Sequence, residues 1–223
     1  MPIDIHGGGS DLAFPHHENE CAQATCAWHQ GFSNTWMHTG MLLVNGEKMS
    51  KSLGNFFTLE EVLEKHSAAA LRLLMLQTHY RSPLDFSFER LEGAESSLAR
   101  IAGTAQNLRW AAAHATGEPD AALAQKLADA VAAADAEFKA CMDDDFNTAG
   151  ALGAFFGFIT EANSYLDVAD GAVNAEVVVA AAEFIERSMD VLGIELPEQE
   201  AELPVEIIAL AAAVSYTHLT LPT

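Results

Sequence analysis

The sequence predicts an α/β segment followed by an all-α antiparallel helix bundle. Two observations carry this. Over residues 1–86, short strand-like apolar stretches alternate with glycine turns and short helices. From about residue 87 the chain changes to long Ala-rich amphipathic stretches joined by short polar connections. Helices of that kind bury one stripe each, and short connections fold them back on one another.

Taken in order, residues 3–6 read as a strand running into Gly7, Gly8, Gly9 and Ser10. Residues 16–30 have helical character, entered through Pro15, which suits a first helical turn. Residues 35–44, rich in Trp, Met, Leu and Val, read as one strand, and Asn45-Gly46 is a tight-turn pair. Residues 48–55 form a polar loop. Thr58 can cap a helix whose first turn carries Glu60 and Glu61. Ser67 caps the next helix, with Leu71, Leu74 and Met75 as its apolar stripe and Ser82-Pro83 as its end. Four long helices follow, near 87–115, 120–141, 147–168 and 174–192. Gly117 to Pro119 and the stretch 143–147 break the pattern and supply caps, and Gly171 and Gly193 mark later ends.

Composition narrows the function. No apolar run approaches the ~20 residues that span a bilayer, and the N-terminus has no basic region followed by an apolar stretch, so neither a membrane span nor a secretory signal is expected. The cysteines are Cys21, Cys26 and Cys141, an odd and sparse set that suits a reducing, cytoplasmic setting rather than a disulfide framework. The net charge is −21 and unevenly placed. Residues 1–90 hold ten acidic and six basic residues, a balance of −4; residues 91–223 hold 22 acidic and five basic, a balance of −17. On charge alone this argues against a nucleic-acid partner, because phosphate contacts need Lys and Arg.

Three constellations carry chemistry. Lys48-Met49-Ser50-Lys51-Ser52 sets two ammonium groups three residues apart in a polar loop, which suits a polyphosphate on which negative charge develops during transfer. A bare K-x-x-K is more often a solvated turn, but the full pentapeptide, continued by Leu53, Gly54 and Asn55, is far more specific. His6-Gly7-Gly8-Gly9-Ser10-Asp11 lets backbone approach a ligand, and Asp11 can accept from ribose hydroxyls. Alone it reads as a plain turn, and its spacing is not that of the dinucleotide fingerprint. In Pro15-His16-His17-Glu18-Asn19-Glu20, His16 and Glu20 are four apart, so they share a helix face and can grip one metal. An isolated pair of that spacing is more often a surface histidine and a carboxylate.

The three in one order, with Trp36-Met37-His38 between them, closely resemble the second half of the catalytic core of cysteinyl-tRNA synthetases, and the pentapeptide resembles the ATP loop of class I aminoacyl-tRNA synthetases. The likeness continues through residues 78–87 (THYRSPLDFS) and 142–148 (MDDDFNT) and covers roughly residues 2–195. It implies a class I synthetase Rossmann-like core followed by a tRNA-side bundle. It further implies a zinc ion on His16, Glu20 and two upstream cysteines, ATP with Mg2+, and the partners cysteine and tRNA(Cys). Lys51 would bind ATP and steady the leaving pyrophosphate with Lys48 assisting, Gly8, Gly9 and Asp11 would hold the adenosine side, and His6 and His38 would line the pocket. Zinc would take the substrate as thiolate, a soft interaction that serine cannot match, where shape alone distinguishes such small groups by only ~1–3 kcal/mol.

From this follow the expected domains: residues 1–86 as the C-terminal part of a catalytic domain, 87–195 as the bundle, 196–213 as a linker, and 214–223 (VSYTHLTLPT) as a non-native tail that resembles translated adapter sequence. With half of the zinc site and the family's H-I-G-H motif expected upstream, the 223-residue chain is expected to be a monomeric, inactive fragment. Two other readings stay open: the cysteine:amino-sugar ligase of mycothiol synthesis, which uses a similar core, and a non-catalytic helical interaction module.

Overall fold

The structure is a computed structural model that describes residues 2–49 and 54–197. Lys51, the stretch 198–213 of the expected linker, and the tail 214–223 lie outside the described residues.

The glycines extend the first strand. β1 runs Ile3–Gly9 and pairs in parallel with β2, Ser33–Thr39, in the register Ile5↔Thr35, His6↔Trp36 and Gly8↔His38. Between them the chain passes through an irregular turn over Ala13–His17 and helix α1, Glu18–Trp28. The helix thus starts after Pro15, whose neighbour Phe14 has extended backbone angles (φ −137°, ψ 134°).

The single strand expected over 35–44 is two. β2 ends at Thr39, and β3, Leu42–Val44, belongs to a second sheet of order β4-β3-β5. β4 is Glu47–Lys48, antiparallel to β3 across the Asn45-Gly46 turn, whose φ values of 52° and 78° are those of a twist-matched hairpin turn. β5, Leu84–Phe86, follows Pro83 directly and is parallel to β3. The break falls at Gly40. Its N–H donates to the Tyr80 carbonyl at 2.7 Å, and a Cβ built there would land on the Ser82 carbonyl and the Pro83 nitrogen. Gly40→Ala is expected to destabilise the chain by about 3 kcal/mol, since backbone rather than a side chain must yield. Gly93→Ala, in open space on an exposed helix face, should instead stabilise it by about 0.5–1 kcal/mol. Urea unfolding of the two variants checks this, and equal midpoints would contradict it.

The remaining helices start where hydroxyl, amide or carboxylate caps stand. α2, Leu59–Leu63, has a full capping box in which Thr58 Oγ1 accepts from Glu61 N and Glu61 accepts from Thr58 N. α3, Ala68–Leu76, is capped by Ser67. Its buried face is Ala70, Leu73 and Leu74, while Met75 of the expected stripe is exposed. α4 (Phe88–Ala113), α5 (Ala121–Asp143), α6 (Thr148–Ala169) and α7 (Ala175–Val191) are capped by Ser87, Asp120, Asn147 and Asn174. Each such cap contributes about 1 kcal/mol.

The four long helices form the bundle. α5 packs along α6 and α4 along α7, with α5 against α7 and α4 against α6 closing the ring. Phe155 and Phe158 of α6 meet Phe184 of α7 in the centre. Asn163 Nδ2 donates to Thr104 Oγ1 at 2.9 Å, a partly buried polar tie between α6 and α4. The apolar core is continuous from Val62 through α3 and β5 to Ile194, so α2, α3 and β5 share one core with the bundle. No core residue of that cluster precedes Val62. Among the described residues no helix is long and apolar enough to cross a membrane.

Candidate functional site

The glycine run brings side chains from three elements together. His6 leaves β1 beside Trp36 of β2, their rings 4.9 Å apart. A Cβ on Gly8 would sit 2.9 Å from the His17 ring, and one on Gly9 would sit 2.5 Å from Asp11 Oδ1. The absent side chains are therefore the space that His17 and Asp11 occupy. This is the close approach that glycine permits.

Glu20 is the centre of the cluster. One turn of α1 places His16 Nε2 3.4 Å from Glu20 Oε1, while His6 Nε2 stands 2.9 Å from Glu20 Oε2. Oε2 is buried, with His6 Nε2 beside it as an ion-pair partner and no regular hydrogen bond made to it. A buried carboxylate oxygen without a donor is costly unless a cation satisfies it. His16 is 58% exposed and open to solvent.

His17, singled out by its motif but given no role in the sequence reading, is the buried member. Its Nδ1 lies 2.8 Å from His38 Nε2, so one ring donates to the other. Burial, followed by the neighbouring His6 and His38, pushes the His17 imidazole below its usual pKa and keeps it neutral. The donor atoms of His6, His17 and Glu20 all lie within 4.8 Å of one another. His17 was hard to assign from sequence because its partner is 21 residues away on another strand; the doubled histidine was the one available signal.

The donor set fits a borderline-soft divalent ion, which takes imidazole nitrogen and carboxylate oxygen. His16 and Glu20 also stand at a spacing that suits two ligands of one such ion. Two ligands each ~2.0–2.1 Å from a tetrahedral zinc stand about 3.4 Å apart; this is the separation of His16 Nε2 and Glu20 Oε1. The 2.9 Å between His6 and Glu20 is too short for two ligands of one such ion.

Of the lysine pentapeptide, Lys48 belongs to the second sheet. Lys48 closes β4, paired with Leu43. The hairpin is pinned from both sides: Gly46 N donates to Asp85 Oδ1 at 2.8 Å, and Asn55 Nδ2 donates to the Lys48 carbonyl at 3.3 Å. His6, His16, His17, Glu20 and His38 thus gather with Gly8, Gly9 and Asp11 beside them, whereas Lys48 stands on a separate sheet. In the bundle, Arg109, Lys126, Lys139 and Arg187 are each paired with a carboxylate. Arg100 lies over the Phe156 ring. These cations do not form one free basic face.

Comparison with known proteins adds the following. Residues 1–96 match the family of class I (C) tRNA synthetase catalytic domains, and residues 137–197 match the DALR domain. The chain is 46% identical over 199 residues to a cysteine--tRNA ligase of Geobacter sulfurreducens, covering 89% of this chain and 41% of the relative. It is 43% identical over 220 residues to a cysteine--tRNA ligase of Thermococcus gammatolerans, covering 95% and 45%. The chain therefore spans less than half the length of these relatives. The fold resembles that of Mycobacterium tuberculosis methionyl-tRNA synthetase in complex with methionyl-adenylate, with a TM-score of 0.64 at 19% identity, over 86% of this chain and 40% of that one. It also resembles a LeuRS–tRNA–LeuAMS ternary complex from Agrobacterium radiobacter, with a TM-score of 0.67 at 20% identity, over 88% and 26%.

Proposed function

Because the chain belongs to the family of class I (C) tRNA synthetases, we propose that it is part of an enzyme that ligates cysteine to tRNA(Cys) through cysteinyl-adenylate, using ATP with Mg2+. The observation that carries this is the His16–Glu20 pair, whose ligand atoms stand 3.4 Å apart on one turn of a half-buried helix start. The two residues would hold zinc together with two cysteine thiolates from an upstream segment of the full-length protein. When bound, zinc would supply a soft Lewis-acid site for the substrate sulfur.

The chain's own residues would do the rest. Asp11 and the backbone at Gly8 and Gly9 would hold the adenosine. Lys51, helped by Lys48, would meet the charge that develops on the phosphates as the cysteine carboxylate attacks the α-phosphate and pyrophosphate leaves. His6 and the His17–His38 pair would wall the pocket, with His17 kept uncharged so that it adds no positive charge beside the metal. The bundle would take the tRNA side, a role that rests on the relatives rather than on its charge. The three unpaired cysteines are at ease in the cytoplasm, and we propose a monomer.

The test is ATP–pyrophosphate exchange by the full-length protein with cysteine, with serine, and with cysteine plus an amino-sugar acceptor. Exchange that depends on cysteine, followed by loading of tRNA, is the expected result. Transfer to the amino-sugar but not to tRNA would instead select the mycothiol-type ligase, and no exchange at all would return the chain to a helical interaction module.

A further inference from the structure

We propose that Asp145 is a positioning residue for this reaction: from the turn between α5 and α6 it holds the seat on which the end of β2 rests. It thereby sets how the histidine–glutamate cluster stands against the lysine-bearing hairpin.

The contacts form a chain. Tyr80 Oη donates to Asp145 Oδ1 at 2.7 Å. Arg81 approaches the same carboxylate with Nε 2.7 Å from Oδ2 and Nη2 donating to Oδ1 at 3.1 Å. Arg81 Nε also donates to Tyr80 Oη at 3.0 Å, closing a triangle. The backbone of the same segment is what β2 sits on. The Tyr80 carbonyl accepts from Gly40 N, the Ser82 carbonyl fills the space where Gly40 would carry a Cβ, and Leu84 N donates to the Met41 carbonyl at 2.9 Å. Two residues before Gly40 is His38, the partner of His17.

This seat matters because β1 and β2 lie outside the apolar core that α2, α3, β5 and the bundle share. The shared core begins at Val62, so residues 2–39 contribute nothing to it. Met37 and Thr39 of β2 line, together with Met75 and Phe146, a cavity of about 490 Å³. The turn that carries Asp145 is itself held against local preference. Asp145 and Phe146 have φ of 57° and 54°, a left-handed pair without glycine. Such outliers persist where the surroundings over-determine them, often next to function. Here the triangle with Tyr80 and Arg81 adds to the backbone bonds from Asn147 N to the Cys141 carbonyl and from Thr148 N to the Phe146 carbonyl.

Two measurements test the proposal. In the 223-residue chain, Asp145→Ala should speed amide exchange at Gly40 by about tenfold, while amides of Leu108, Ile159 and Ile185 stay within about twofold. In the full-length protein it should lower kcat of cysteine-dependent pyrophosphate exchange by about tenfold with KM for cysteine within about twofold, since alignment rather than binding is lost. Asp145→Asn, which keeps an acceptor for Tyr80 and tolerates the left-handed backbone, should recover most of both readouts. Tyr80→Phe, which deletes a single donor and leaves the turn residues in place, should give an intermediate effect if Asp145→Ala proves too unstable to study. An unchanged Gly40 amide, a uniform loosening of all core amides, or an effect confined to KM would each overturn the proposal. The kinetic readout rests on the function proposed above and the amide readout does not, so a wild-type protein without cysteine-dependent exchange would defeat that function and only the kinetic half here.

Discussion

Full-length protein carrying Glu20→Ala is expected to bind zinc at least about 100-fold more weakly, since even partners one step removed from a metal contribute 10- to 100-fold. Its preference for cysteine over serine should fall toward the ~10–200-fold that pocket shape provides by itself. The reason lies in the carboxylate's position. Glu20 Oε1 faces His16 Nε2 at ligand spacing, while the buried Oε2 has His6 Nε2 2.9 Å away. Metal analysis by mass spectrometry, alongside exchange rates with the two amino acids, measures both effects. Companion substitutions sharpen the outcome. His16→Ala should cost as much zinc as Glu20→Ala. If the ion instead sat among His6, His17 and Glu20, His17→Ala would strip the metal and His16→Ala would spare it, and the assignment of His16 would be wrong.

Lys51→Ala, again in the full-length protein, should slow adenylate formation by about 10²- to 10³-fold, the range seen when one preorganised transition-state donor is removed. Zinc content should not change. Lys48→Ala should cost less, because Lys48 ends β4 with its backbone committed to the sheet and to Asn55. The hairpin that precedes Lys51 is fixed by Asp85 through Gly46, so the alanine removes a charge from a loop whose base stays in place. Single-turnover formation of labelled adenylate separates this from effects on tRNA. A Lys51→Ala enzyme with a rate within threefold of wild type would show that the loop does not serve the triphosphate, since a lost transition-state donor costs about 100-fold.

Local chemistry made the helices legible. Thr58, Ser67, Asp120, Asn147 and Asn174 each cap a helix close to where a reading of caps and breakers puts one. The misread elements were decided by contacts distant in sequence. Residues 35–44 look like one strand because Trp36, Met37, Leu42, Leu43 and Val44 carry no internal break signal stronger than Gly40. The break exists because the carbonyls of Tyr80 and Ser82 press on that glycine. β5 has three residues behind Pro83 and exists through pairing with β3, 42 residues earlier. Met75 follows the helical stripe yet faces the cavity beside β2. In the site, the spacing of His16 and Glu20 was readable because one helical turn relates them. The link of His17 to His38 was not, since only the parallel register of β1 and β2 brings their elements together.

The unbroken apolar interior between Val62 and Ile194 has a practical side for anyone dissecting this protein. A cut at residue 87 would part α4 from α3, which packs against it in that interior. A piece meant to report on RNA contact by itself would need to start ahead of α2 and carry the lysine hairpin's supporting strand with it, or else expose Leu91, Leu98 and their neighbours to water and aggregate.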